Sequence, residues 1–97
     1  MLGDRQGEGQ ALTDLGNVYQ KEGRWAEAIA PFERSLAIHR TLGDRYREGL
    51  TLAILGLLHN NQGDSNQAQK HWHEALTKLQ TDSPVYSKVV SWLATEE

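Results

Sequence analysis

Four histidines, His39, His59, His71 and His73, are the side chains here best suited to bind a metal or move a proton. A transition-metal site needs three or four nitrogen, sulfur or carboxylate donors converging on one point. His71 and His73 are two residues apart, which sets them about 200° apart around a helix, so they do not chelate together. His39 and His59 fall on different helices with no carboxylate four residues further on. The expectation is no bound metal and no cofactor. Acid–base catalysis needs two groups whose pKa values a pocket pushes apart. The acidic residues instead sit among basic ones, as in Glu22/Arg24, Glu33/Arg34 and Arg47/Glu48, which is how solvated helix faces read. Nucleophile-elbow, phosphate-loop and zinc-protease signatures are absent, and Gly7-Glu8-Gly9 lacks the preceding strand that gives a glycine loop its meaning. The chain contains no cysteine, which removes disulfides, thiolate zinc sites and a thiol nucleophile. The sequence therefore reads as that of a protein that is not an enzyme.

Composition narrows the partners. Ten basic against thirteen acidic residues give a net charge of −3 over 97 residues, spread evenly along the chain. A basic footprint for nucleic acid is missing. Without one, Trp25, Trp72 and Trp92 read as core fillers and not as stacking platforms for bases. No apolar run approaches the roughly 18 residues of a membrane span, and the opening MLGDRQGEGQ has no apolar secretory core. What remains is a small soluble protein expected in the cytoplasm, with no nucleic-acid or membrane partner.

An internal duplication organises the elements. Gly3, Asp4, Arg5, Glu8, Gly9, Leu12, Leu15, Gly16, Gly23, Ala28, Leu36 and Thr41 recur unchanged forty residues later, from Gly43 through Thr81, without a gap. Ordinary residue frequencies would give roughly two or three such matches. Within each copy the spacing is helical. Leu12, Leu15, Gly16 and Tyr19 fall at i, i+3, i+4 and i+7, as do Leu52, Leu55, Gly56 and His59. A second stripe follows each interrupting glycine: Trp25, Ala28, Ile29, Phe32 and Leu36, then Ala68, Trp72, Ala75, Leu76 and Leu79. The pattern predicts helices over 5–22, 25–41, 45–62, 65–80 and 85–95, with no strand.

Start and stop signals agree. Asp4 and Asp44 can cap a free helix amide. Asp64 with Gln67 reads as a capping box. Ser83-Pro84 reads as an N-cap with proline in the first turn. Gly23, Gly43 and Gly63 supply left-handed stops. Pro31, past the first turn of its helix, deletes a backbone bond and is expected to kink that helix without breaking it.

Leu15-Gly16-x-x-Tyr19, then Gly23, then Ala28-x-x-x-Phe32-x-x-Ser35-Leu36 resembles the tetratricopeptide repeat, as does Leu55-Gly56-x-x-His59, Gly63, Ala68-x-x-x-Trp72-x-x-Ala75-Leu76. The forty-residue period is similar to that of a longer subclass found in kinesin light chains and G-protein-signalling scaffolds. The resemblance implies an all-α, right-handed α-solenoid. The chain would form one domain, 1–97, with repeat 1 over 3–42, repeat 2 over 43–82 and a C-terminal helix over 83–97. Gly16 and Ala28 would let paired helices approach, with Tyr19, Phe32 and Trp72 filling beside them. His59 stands where the family has tyrosine.

The resemblance also implies a function, that of a protein–protein interaction module whose first helices line a concave groove for a peptide or helix. Carried over, that groove comprises Gln10, Thr13, Asn17, Gln20 and Lys21 from copy one, and Leu50, Ala53, Leu57, Asn60 and Asn61 from copy two. Asn17 alone matches the carboxylate clamp of chaperone-tail binders, since lysine is missing at Thr13 and asparagine at Ile54.

The third helix is apolar nearly all round, with Leu50, Ile54, Leu57 and Leu58 beside the Leu52/Leu55 stripe, which makes it central to the stack. The alternative is that Leu50 and Leu57 form an apolar floor for an amphipathic partner. Two repeats and an unpaired helix leave apolar faces open. From this a second expectation follows, a self-associating architectural element, most simply a two-fold homodimer through Val89, Trp92 and Leu93.

Overall fold

The structure is a computed structural model and describes residues 4–95. It contains five helices: α1 (Arg5–Lys21), α2 (Trp25–Leu42), α3 (Arg45–Asn61), α4 (Ser65–Lys78) and α5 (Pro84–Thr95). No strand occurs among the described residues. Gly3, and the ends 1–3 and 96–97 of the expected domain, lie outside them. The helices form an elongated slab of 46 × 30 × 19 Å. α1 pairs with α2 and α3 with α4. α2 then stacks on α3, and α5 rests on α4 and α3, so the fold is an all-α helical-repeat solenoid. α3, touching α2, α4 and α5, is the central helix that its apolar circumference predicts.

The caps explain the boundaries. The carboxylates of Asp4, Asp44 and Asp64 accept from the amides of Gly7, Arg47 and Gln67 at 2.9, 3.1 and 3.1 Å. The capping box at Asp64 is only half made, because the Asp64 amide donates to the His59 carbonyl at 2.9 Å. Gly23, Gly43 and Gly63 have φ of 75°, 71° and 83°, and each turn depends on glycine there. α2 starts without a side-chain cap. In place of a cap, Arg24 pairs with Glu22 and Glu27 and lies 4.6 Å from the Tyr19 ring centre. α2 runs unbroken through Pro31, which is buried.

α4 ends two residues before the sequence predicts. Position 83 carries serine where the first copy has Gly43, so a left-handed stop is not available. Leu79 leaves the helix in an extended conformation (ψ 149°) and drives its side chain against Gly49, where it is 6% exposed.

One apolar core runs through both repeats. It joins Ala28, Phe32 and Leu36 of α2, Leu52, Leu55 and Leu58 of α3, Ala68, Trp72 and Ala75 of α4, and Val89 of α5. Small residues set the spacing. A methyl on Gly16 would come within 2.6 Å of the Phe32 ring, and one on Gly56 would overlap the Trp72 indole. Trp72 and Trp92 pack ring on ring at 5.6 Å, which docks α5.

Candidate functional site

The expected groove residues divide into two strips. On α1, Gln10 and Lys21 are exposed, while Thr13, Asn17 and Gln20 are half-buried. On α3, Asn60 and Asn61 are exposed, Leu50 and Leu57 are half-buried against the core, and Ala53 is buried. The α1 and α3 backbones do not approach each other closely. A side-chain bond links the strips, with Arg47 Nη1 donating to Gln10 Oε1 at 2.9 Å. Gln10 also donates to Asp14 at 3.1 Å, so its amide is already engaged.

Two of the expected contact residues face inward. Ala53, 2% exposed, offers its carbonyl to the Trp72 indole N–H at 3.2 Å. The Thr13 hydroxyl lies 2.7 Å from Ser35 Oγ. Among the described residues, the groove side chains with no hydrogen-bonded side-chain partner are Asn17, Gln20, Lys21, Asn60 and Asn61, beside the Leu50 and Leu57 shelf.

Thr13 belongs to a buried network that the sequence did not reveal. Ser35 Oγ donates to the Gly9 carbonyl at 3.1 Å and lies 3.0 Å from His39 Nε2. Serine has a single hydroxyl proton, and a carbonyl can only accept. Thr13 and His39 Nε2–H must then both donate to Ser35. The network thus puts a proton on His39 Nε2, while Nδ1 is buried without a partner among the described residues. Burial pushes the His39 pKa below the ordinary imidazole value, partly opposed by Asp44 and Glu48. Forty residues on, the same site is apolar: Gly49, Ala53, Ala75 and Leu79 replace Gly9, Thr13, Ser35 and His39. Comparing the two copies position by position is the signal that would have found it.

The histidines are arranged otherwise than the spacing argument considered. His59 of α3 and His71 of α4 stack with ring centres 5.0 Å apart and planes inclined by 20°. His71 Nδ1 is bonded to the Gln67 carbonyl at 2.8 Å, and His59 Nε2 is buried without a partner. Their equivalents in repeat 1 are Tyr19 and Pro31, so the pair occupies the place of an aromatic filler and its neighbour. Among the described residues no three metal-binding side chains converge.

Of the residues expected to join two copies, Val89 is fully buried within its own chain. Trp92 and Leu93 are half-buried against the core. Val90, 45% exposed, is the large apolar side chain that α5 presents outward. Among the described residues no helix is long and apolar enough to cross a membrane.

The profile of the tetratricopeptide repeat matches residues 7–81, which is most of the chain and spans both helix pairs. The chain belongs to the tetratricopeptide repeat family. Such repeats mediate protein–protein interaction and are typically non-catalytic. This tetratricopeptide protein is also similar to "Regulatory protein AfsR" of Streptomyces griseus, with 35% identity over 69 residues. The match covers 71% of this chain and 7% of that protein. No solved structure matches the chain.

Proposed function

We propose that the chain is a binding module that holds an extended or helical segment of a partner protein across the first-helix faces of its two repeats. The observation that carries this is the composition of those faces. Amides of Asn17, Gln20, Asn60 and Asn61, free of side-chain partners among the described residues, border the half-exposed Leu50 and Leu57. Amides pair with a peptide backbone in either direction, and a leucine shelf takes an apolar side chain. The forty-residue period supports a kinship with the longer-repeat subclass. Absence of a lysine clamp argues for an internal segment of the partner over a chain terminus. A cysteine-free module of this kind suits the cytoplasm.

The test is selection of a displayed peptide library on the immobilised chain. The wild type should enrich a defined motif, and Asn17→Ala or Leu57→Asp should weaken its binding by about tenfold while helicity is unchanged. Enrichment of no motif, or a motif indifferent to both substitutions, would overturn the reading. Self-association through α5 is the weaker alternative, since Val89 is enclosed and Trp92 already packs on Trp72. A mass that rises with concentration, and falls back on Val90→Asp, would favour it.

A further inference from the structure

The duplication supplies a control for the seam between the two helices of each pair. In repeat 1 that seam holds the Gly9 carbonyl and Thr13 of α1 against Ser35 and His39 of α2, with Ser35 Oγ at 3.1, 2.7 and 3.0 Å from its three partners. In repeat 2 the equivalents, Gly49, Ala53, Ala75 and Leu79, are buried and carry no polar side chain. One seam closes on hydrogen bonds around an imidazole, and at the same place the other closes on apolar contact.

The imidazole sits where a second ring proton has no acceptor. His39 is 2% exposed, its Nε2–H is taken up by Ser35, and Nδ1 has no partner among the described residues. A proton there makes a buried cation with an unanswered N–H, which is far costlier than the neutral ring. The nearby acids are already engaged. At the start of α3, Asp44 caps the Arg47 amide and pairs with its guanidinium at 3.2 Å, and Glu48 is held by Arg40 and Lys78. At the start of α1, the Asp4 carboxylate accepts from the Gly7 amide. Arg47 opposes a further positive charge, and burial outweighs the attraction of Asp44 and Glu48. Water has a short way in. A cavity of about 320 Å³, lined by Asp4, Gln6, Gly7, Gln10, His39 and Arg47, reaches this end of the seam from outside. Opening there hydrates the ring while Phe32 stays against Gly16, about two turns further along α1.

We propose that the α1–α2 seam is an acid-operated latch, closed while His39 carries one ring proton and opened from its Gly9–His39 end when Nδ1 takes a second. The α3–α4 pair has Leu79 at the matching place and stays shut. Opening moves the α1 strip that carries Asn17 and Gln20 relative to α3, and strains the 2.9 Å bond from Arg47 to Gln10 that ties the two strips. Once the seam is open, the imidazole has its ordinary affinity for protons, near pH 6.5. Below that pH the open form gains about tenfold over the closed form per pH unit, until the closed form is protonated too. The latch requires no ligand, so it stands or falls apart from the proposed groove.

The chain contains no cysteine, so pairs of spin labels can be placed at chosen exposed sites. Ala11→Cys with Ala37→Cys reports the distance from α1 to α2, and Tyr46→Cys with Thr77→Cys reports that from α3 to α4. As the pH is lowered through the ordinary imidazole value, the first pair should develop a second, longer distance. Its share should grow by about tenfold per pH unit while it is small. The second pair should keep its single distance. His39→Leu should hold the first pair closed throughout. If that variant does not fold, the combined Thr13→Ala, Ser35→Ala and His39→Leu replacement, which copies repeat 2, should do the same. A first-pair distance unchanged at every pH at which the chain stays helical would overturn the inference. So would lengthening of both pairs together, or lengthening that persists once His39 is replaced.

Discussion

Trp72 lies across Gly56, close enough that a methyl group on that glycine would overlap its indole, while the indole N–H reaches back to the Ala53 carbonyl one turn away. The ring is held from both sides and cannot swing clear. Gly56→Ala should therefore destabilise the fold. Overpacking costs about 1–3 kcal/mol, and the better helix propensity of alanine returns about 1 kcal/mol. Gly9→Ala should come out near neutral, because its methyl would meet only side-chain atoms of Ile38 and His39, at 3.2 Å. Urea unfolding of the two variants checks the contrast, and equal losses would contradict it.

The polar network of repeat 1 should behave as a unit. Ser35→Ala alone strands the Thr13 hydroxyl and the His39 N–H in a buried site, at a cost of about 1–3 kcal/mol. Replacing all three residues by their repeat-2 equivalents, Thr13→Ala, Ser35→Ala and His39→Leu, should lose less than the single change does. Repeat 2 shows that this backbone accepts the apolar set, with Ala53, Ala75 and Leu79 all buried. A chemical-denaturation series over the single and triple variants measures the coupling.

Stability should depend on pH through His39. Its folded-state pKa is depressed by burial, so above the ordinary imidazole value near 6.5 both folded and unfolded states are neutral and nothing is lost. Below that value the unfolded chain takes up a proton that the folded one resists. Stability then falls as pH drops towards the folded-state pKa. His39→Leu should flatten this part of the profile below about pH 6.5. Melting temperature measured against pH for both proteins gives the answer.

Glu48, 7% exposed at its side chain, is neutralised by Arg40 at 3.0 Å and Lys78 at 3.5 Å, and Arg40 reaches on to Glu74. This cluster ties α2, α3 and α4 together. Arg40→Ala removes the nearer partner of a carboxylate held out of water. The expected loss is about 1.5 kcal/mol, at the low end for charge-assisted bonds because Arg40 is 44% exposed. Glu22→Ala, at an exposed pair, should change stability by less than about 0.5 kcal/mol. Thermal unfolding distinguishes the two.

Helices, turns and the duplication were legible in the chain because each depends on neighbours within a few residues. A 3.6-residue stripe, an aspartate at the N-cap and a glycine at a left-handed turn act locally, and four of the five helices end within one residue of expectation. The end of α4 was not legible. It depends on Leu79 filling the gap beside Gly49, thirty residues earlier in sequence. The groove residues were half legible for the same reason. Helical phase places Asn17 and Leu57 on the first-helix face, but it cannot show that Thr13 turns to Ser35, that Gln10 is held by Arg47, or that the Ala53 carbonyl serves Trp72.

The sequence alone determined that this would be a stack of helix pairs, because period, caps and glycines are properties of short stretches and they agree with one another. Tertiary structure decided which of two matching faces is covered. Leu15 and Leu55 are the same residue in the same local setting, and only the helix lying against Leu55 separates an open surface from a closed core. The same holds for His59 and His71, whose stacking comes from the pairing of α3 with α4. Contacts between elements distant in sequence leave no periodic trace, so burial and pairing emerge only when the helices are brought together.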